Sequence, residues 1–356
     1  LKQFYEPVAV TLLTGFLGSG KTTLINELVS DPRMDDTAVI INEFGTIAID
    51  HDLVRTGSER YMRTSTGCLC CSASSDIRTS LFELHEARMK GEIAPVSRVV
   101  IETTGLADPA PIINSIIPGG APATGLRDHM VARHFYLQGV VTVFDTIDGR
   151  SALTSFIEGW KQLAFADDVI LTKTDVSEEK RDWQQELAVL NPAARFHDRH
   201  GPGFDLVSLF GKTPYSVAGK AEDVNGWLAM ERLVPHAEHE HNPNRHGDEI
   251  EAFSLMSDVP LDADALAILL GVIVSPRNRG LLRMKGLVAI SDDPDRPMVV
   301  HAVQHRMDPT VRLPQWPSKP RGTRIVLIGM DLPEKQIRSL FAALTARSQK
   351  GRRQYA

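Results

Sequence analysis

Lys21 and Thr22 follow a run of spaced glycines, Gly15-x-x-x-x-Gly20-Lys21-Thr22. An ammonium and a hydroxyl placed directly after backbone that can curl make a device for capturing phosphate. Gly15, Gly18 and Gly20 let successive N–H groups point inward, and the N-terminus of a following helix adds its dipole. Lys21 then reaches the β- and γ-phosphates of a nucleotide, and the Thr22 hydroxyl is a ligand for Mg²⁺. Ser19 and Thr23 complete the candidate phosphate-contacting set.

Three other groupings carry chemistry. Glu102-Thr103-Thr104-Gly105 follows an apolar run, and an acid at the end of such a run can hold Mg²⁺ or its waters. Glu102-x-x-Gly105 is similar to the D-x-x-G of GTPases, whose glycine N–H senses the γ-phosphate. Thr172-Lys173-Thr174-Asp175 is similar to N-K-x-D, whose Asp accepts from guanine N1–H and the 2-amino group. Adenine offers no such donor pair, so Asp175 argues against an ATPase, and no second-substrate motif supports a nucleotide kinase. Finally, Cys68, Cys70 and Cys71 are the only cysteines of the chain. Vicinal Cys70 and Cys71 have poor geometry for a disulfide. Thiolates suit a soft divalent ion such as Zn²⁺, with one coordination place left open. Small buried cysteines or a redox-sensitive patch are the alternatives.

These groups need elements to hold them. Val8 to Leu13 is an apolar run and reads as a buried strand, and Leu24, Ile25 and Leu28 recur at helical spacing after the glycines. Further strands are expected at Ala38–Ile41, Val96–Ile101, Val140–Phe144 and Val169–Leu171. Helices are expected at Ser75–Met89 and Ser177–Leu190. The polar segment Asn42–Asp50, which contains Glu43, lies where a nucleotide-responsive switch or a plain surface loop would sit. Pro118 to Leu126 reads as a loop by composition. The segment 235–249 has no apolar periodicity and holds His236, His239, His241 and His246. A metal-binding tract and a solvated linker describe it equally well. Beyond it, strands at Glu251–Ser257, Gly280–Ile290, Val299–Val303 and Arg324–Gly329 alternate with helices at Leu261–Val274 and Pro333–Ala346. That order suggests an antiparallel α+β domain. His301 and His305 near its centre read as core or surface residues.

The expected architecture is therefore α/β. A P-loop domain with a mostly parallel sheet flanked by helices spans 1–215, a His-containing linker spans 216–249, and a smaller α+β domain spans 250–356. The 356 residues suffice for two domains. A net charge of −6 supplies no basic field for nucleic acid. No apolar run approaches the roughly 20 residues that span a membrane. The opening residues hold no secretion-signal core, and with the clustered cysteines this gives a cytoplasmic expectation.

The pieces Thr14–Thr23, Asn42–Gly45, Gly67–Cys71, Glu102–Pro109 and Thr172–Asp175 resemble the CobW-type P-loop GTPases. Gly280–Gly286 and Gln304–Asp308 are similar to that family's C-terminal domain. The resemblance implies slow hydrolysis of GTP to GDP, coupled to handling of a divalent metal such as Zn²⁺ or Co²⁺ for a client metalloprotein. Relatives include zinc metallochaperones, cobalamin-pathway proteins and metalloenzyme activators. It implies Lys21, Glu43 and Glu102 as catalytic groups, Thr22 and Glu102 at Mg²⁺, and the three cysteines at the transported metal. Many members read Glu-Asn-Glu-Phe-Gly-Glu at the switch, whereas Ile41 and Thr46 stand here in place of the outer glutamates. The set of partners is GTP or GDP, a metal and a client, with room for a homo-oligomer and with no nucleic acid or membrane.

Overall fold

The computed structural model describes residues 7–42, 61–63, 73–117, 125–177, 182–210, 250–278, 280–317 and 321–355. Glu43, the rest of the switch segment, the three cysteines and the His236–His246 tract lie outside the described residues. The chain divides into two compact units.

The first unit is built on strands β1 (Val8–Gly15), β2 (Thr37–Asn42), β3 (Tyr61–Arg63), β4 (Arg98–Thr103), β5 (Phe135–Asp145), β6 (Asp168–Thr172) and β7 (Arg195–Asp198). They form a seven-stranded sheet in the order β3-β2-β4-β1-β5-β6-β7. Each neighbouring pair is parallel. The expected sheet was mostly parallel; the described one is wholly so. Its helices are α1 (Lys21–Ser30), α2 (Ala73–Lys90), α3 (Pro109–Ile116), α4 (Leu126–His134), α5 (Gly149–Ser155), α6 (Ile157–Phe165) and, after α7 (Trp183–Ala188), whose residues from Gln184 on group with the second unit, α8 (Leu206–Phe210).

Strand order explains where the helices go. From β1 the chain moves toward β2, but from β5 it moves the opposite way to β6. Right-handed crossovers therefore place α1 and α6 on opposite faces. Leu24, Ile25 and Leu28 of α1 join Leu13, Val39, Val143 and Ile170 of the sheet, with Leu206 and Phe210 of α8, in one core. β1 is buried at every position, as a parallel central strand requires.

The second unit carries β8 (Ile250–Ser257), α9 (Ala263–Ile273), β9 (Leu281–Val288), β10 (Met298–Val303), β11 (Arg306–Met307), β12 (Val311–Arg312), β13 (Thr323–Met330) and α10 (Glu334–Tyr355). Its sheet runs β11-β10-β9-β13-β8, with β12 beside β10. All its strand pairs are antiparallel. Leu269 and Ile273 of α9 and Ile337 and Phe341 of α10 pack with Leu255, Met284 and Leu327 of the sheet. The Asp262 carboxylate caps α9 by accepting from Ala265 N at 2.6 Å, and it also accepts from Ser348 Oγ of α10 at 3.1 Å. His301 Nδ1 lies 3.0 Å from the Asp308 carboxylate.

No helix among the described residues is long and apolar enough to cross a membrane. The expected strands begin and end within a few residues of expectation, whereas β3, β7, β11 and β12 were not anticipated. Within the helix expected at Ser177–Leu190 the described helix is Trp183–Ala188, and two further differences have physical causes. β5 starts at Phe135, because its first half is only partly buried and carries Gln138, which masks the apolar pattern. α10 extends to Tyr355 through charged residues that have no apolar period.

One feature of the first unit sets a pH dependence. The rings of His85 and His134 stack with centroids 4.3 Å apart. Burial, then the charge of Arg88, pushes the His85 pKa below its ordinary value; burial, then His85, Arg133 and Arg88, do the same for His134. The unfolded chain therefore binds more protons than the folded one below about pH 6.5. The contribution of these two histidines to stability is complete above that pH and falls as pH drops toward the depressed folded values. The melting temperature is expected to fall between pH 7.5 and 5.5, and less steeply in His85→Phe. Thermal melts of both proteins across that range check this, and parallel curves would refute it.

Candidate nucleotide site

β1 ends at Gly15, where the chain leaves the sheet. Gly15, Gly18 and Gly20 have φ of 141°, 76° and 97°, conformations that side chains resist. At Gly15 a Cβ would also lie 2.4 Å from the Val143 carbonyl. The loop therefore turns against β5 with backbone touching backbone. α1 then starts with no side-chain cap and no acid in its first turn, which leaves its positive end to an anion. The Lys21 ammonium donates to the carbonyls of Gly15 (2.8 Å) and Phe16 (3.0 Å), so it lies along the loop it belongs to. Thr22 is half-buried and Thr23 exposed.

Glu102 is buried near the end of β4, paired in register with Leu13 of β1. One residue on, the Thr103 hydroxyl donates to the Thr14 hydroxyl at 2.8 Å. The chain then bends at Gly105, where a Cβ would lie 2.4 Å from Leu17 N and 2.6 Å from Leu17 Cα. Gly105 thus rests directly on the phosphate loop. The Asp108 carboxylate caps α3 by accepting from Ala110 N at 2.9 Å. The hydroxyls of Ser19 and Thr104 are buried beside this junction and have no hydrogen-bond partner among the described residues. Two unspent hydroxyls, a glycine cradle and an uncapped helix end fit a polyphosphate, whose oxygens would accept from them.

Thr172 closes β6. Its hydroxyl bonds the carbonyls of Ser19 (2.8 Å) and Phe144 (3.2 Å), tying Thr172–Asp175 to the glycine loop. Lys173 sits at φ 58°, a region few non-glycine residues enter. Its ammonium pairs with Asp145, buried at the end of β5, and lies 3.9 Å from Asp148. The Asp145 carboxylate also accepts from Ile147 N at 2.9 Å. Asp175 is half-exposed, with its carboxylate 3.0 Å from His200 Nε2.

The sheet thus brings three groups together at the carboxyl ends of β1, β4 and β6: Gly15–Thr23, Glu102–Gly105 and Thr172–Asp175. Crevices at such edges are where open α/β sheets bind ligands. Cys68, Cys70, Cys71 and Glu43 lie outside the described residues. Among the described residues no group of three or more His, Cys, Asp or Glu could hold a metal ion. Ile41, at the position of the family's first switch glutamate, packs against the core of α1 and α8. Asp145 and His200 were not anticipated. They sit in segments without a motif, and only the fold carries them to the edge.

Gly105→Ala is expected to cost about 1–3 kcal/mol, because the methyl group would overlap Leu17 backbone that cannot rotate away. Urea unfolding of the variant beside the wild type measures this, and an unchanged midpoint would refute the contact.

Comparisons with known proteins agree with this geometry. The family described as CobW/HypB/UreG, nucleotide-binding domain, matches residues 9–198, and the cobalamin synthesis protein cobW C-terminal domain matches residues 250–345. The chain is 31% identical over 339 residues to the zinc chaperone YjiA of Escherichia coli (strain K12), covering 95% of this chain and 99% of that one. It is 27% identical to the zinc chaperone CobW of Sinorhizobium sp, covering 95% and 97%. The crystal structure of Zn(II)-bound YjiA GTPase from E. coli is similar with a TM-score of 0.67 at 26% identity, over 95% of this chain and 99% of that one. A triple variant of that GTPase, with one glutamate and two cysteines changed to alanine, is also described as Zn(II)-bound and gives a TM-score of 0.65 at 26% identity, over 95% of this chain and 99% of that one. By sequence and by fold, the chain belongs to the CobW/HypB/UreG family of P-loop GTPases and carries the CobW C-terminal domain.

Proposed function

We propose that this chain is a GTP-hydrolysing metallochaperone that carries a divalent metal, zinc foremost, to a client metalloprotein. The carrying observation is the bond from Thr172 to Ser19. It supports one continuous site with phosphate capture at one end and Asp175 at the other. The relatives named as zinc chaperones support the cargo.

In this reading, Gly15–Thr23 wraps the β- and γ-phosphates and Lys21 exchanges its two carbonyls for phosphate oxygens. Thr22 and Glu102 would hold Mg²⁺, which supplies charge neutralisation across those phosphates. Glu43 orients the attacking water. Water adds to the γ-phosphorus, the bond to the β-phosphate oxygen breaks, and the water's proton leaves with phosphate. Asp175 accepts from guanine N1–H and the 2-amino group, which replace His200 as its donors. Cys68, Cys70 and Cys71 bind the cargo in the GTP state and release it after hydrolysis. Ile41 contributes no carboxylate, so the cargo site here rests on thiolates, which favours a soft ion. The GTPase domain spans 1–215, the linker 216–249 and the second domain 250–356.

Asp175→Asn tests the base assignment. A hydrogen bond to a charged group is worth about 1.5–3 kcal/mol, so losing this pairing should weaken GTP at least about tenfold. Affinity should shift toward XTP, whose O2 accepts from the new amide. Unchanged GTP affinity in a direct titration would remove Asp175 from the base site.

Replacing Cys68, Cys70 and Cys71 together by serine tests the cargo site. Wild type is expected to take up one tightly held Zn²⁺, or Co²⁺ with thiolate charge-transfer absorption, and the variant to lose both the tight ion and the absorption. Binding should be tighter with a GTP analogue than with GDP, and by linkage the metal must raise analogue affinity by the same factor. A variant that retains the tight ion would place the cargo elsewhere.

A further inference from the structure

Gln162 is a wholly buried amide on α6, 1% exposed, and no step above uses it. Its Nε2 donates to the carbonyls of Gly105 (3.1 Å) and Ala107 (3.2 Å). Only the amide nitrogen can serve both, because carbonyl oxygens accept and do not donate. Its backbone carbonyl accepts from the Thr142 hydroxyl at 2.7 Å, fixing α6 to β5. Beside it, the Lys161 ammonium reaches the Asp108 carboxylate at 2.8 Å. Just before α6, the Phe156 ring lies 5.1 Å from that of Phe16 in the phosphate loop. This helix and the residue that opens it therefore touch the phosphate loop and grip the Glu102–Asp108 turn.

We propose that Gln162 is a positioning residue for sensing the nucleotide's γ-phosphate, acting through Gly105. The proposal rests on the reading of the site as a GTP site. In a trans peptide the C=O and N–H point in opposite directions. Drawing the carbonyls of Gly105 and Ala107 onto one amide turns the N–H groups of Leu106 and Asp108 away from it. The preceding peptide is set as well, because Thr104 O accepts from Ala107 N at 3.1 Å. With Gly105 seated on Leu17, the direction of the Gly105 N–H follows from these bonds. A diphosphate meets the loop, whereas a triphosphate meets the loop and the turn. Without the Gln162 donors, two buried carbonyls lose their partner and the turn rotates to find others. The loss falls on GTP and spares GDP.

The test titrates the full-length chain with Mg²⁺ and either GDP or the slowly hydrolysed GTPγS. It compares wild type with Gln162→Met, which keeps length without a donor, and Gln162→Asn, whose amide falls short of both carbonyls. Thr142→Val serves as the control, since it loosens α6 without touching the turn. GTPγS affinity is expected to fall about tenfold or more in both Gln162 variants, the worth of one hydrogen bond, with GDP held within about twofold. Thr142→Val should lower the melting temperature and leave the GTPγS-to-GDP ratio unchanged. If the Met variant fails to fold, the Asn variant reads the same ratio. Equal losses for both nucleotides, or a wild-type ratio in the Gln162 variants, would overturn the positioning role and leave the GTP reading standing. A wild type that binds neither nucleotide would overturn both.

Discussion

The site depends on backbone approaching backbone more closely than a side chain permits. Gly15 abuts the Val143 carbonyl, and Gly105 abuts Leu17. These contacts lock the phosphate loop between β5 on one side and the turn after β4 on the other. A parallel sheet makes the arrangement available, because it delivers the ends of β1, β4 and β5 to one edge. The glycines then allow the three departing chains to share that edge. The cost is conformational, since glycine loses more freedom on folding than any other residue. Buried apolar strands on both sides offset that loss.

Polar bonds across the same edge connect the two ends of the site. Thr172 replaces the longer asparagine of the N-K-x-D pattern, and its hydroxyl alone reaches the Ser19 carbonyl at 2.8 Å. Lys173 is held in a left-handed conformation by its pair with Asp145, which also organises the turn after β5. Unusual backbone at a non-glycine residue persists when its surroundings over-determine it. The Thr172–Asp175 segment is thereby set before any ligand arrives. A preset segment lowers the ordering cost of binding.

Much of this was legible in the sequence, for identifiable reasons. Val8–Leu13 is apolar at every position but Thr11, so a buried strand was its only economical reading. Gly15–Thr22 has fixed spacing, and backbone chemistry makes that spacing specific. Asp175 was recognisable because it follows an apolar strand in a chain already carrying a phosphate loop. Gln162 was invisible. It is one amide on an amphipathic helix, and its role exists only once α6 is folded over the turn after β4. His200 and Asp145 were hidden likewise, since their partners are 25 and 28 residues away in sequence. Helices α3 to α6 are short and went unanticipated, because two turns give too little period to read.

Ile41 is the clearest departure from the family pattern. It is the next-to-last residue of β2, an apolar side chain packed against the first core, in the place of a carboxylate. The glycine loop, the Gly105 turn and Thr172 meet without it, and so nucleotide binding stands apart from the identity of the cargo. The most direct measurement is therefore calorimetric titration of the full-length wild-type chain with GTP and with ATP, each with Mg²⁺. Asp175 and the preset Thr172–Lys173 segment require GTP to bind at least about a hundredfold more tightly, the worth of two hydrogen bonds that adenine cannot make. Equal affinity for the two nucleotides, or no binding of GTP, would contradict the site described.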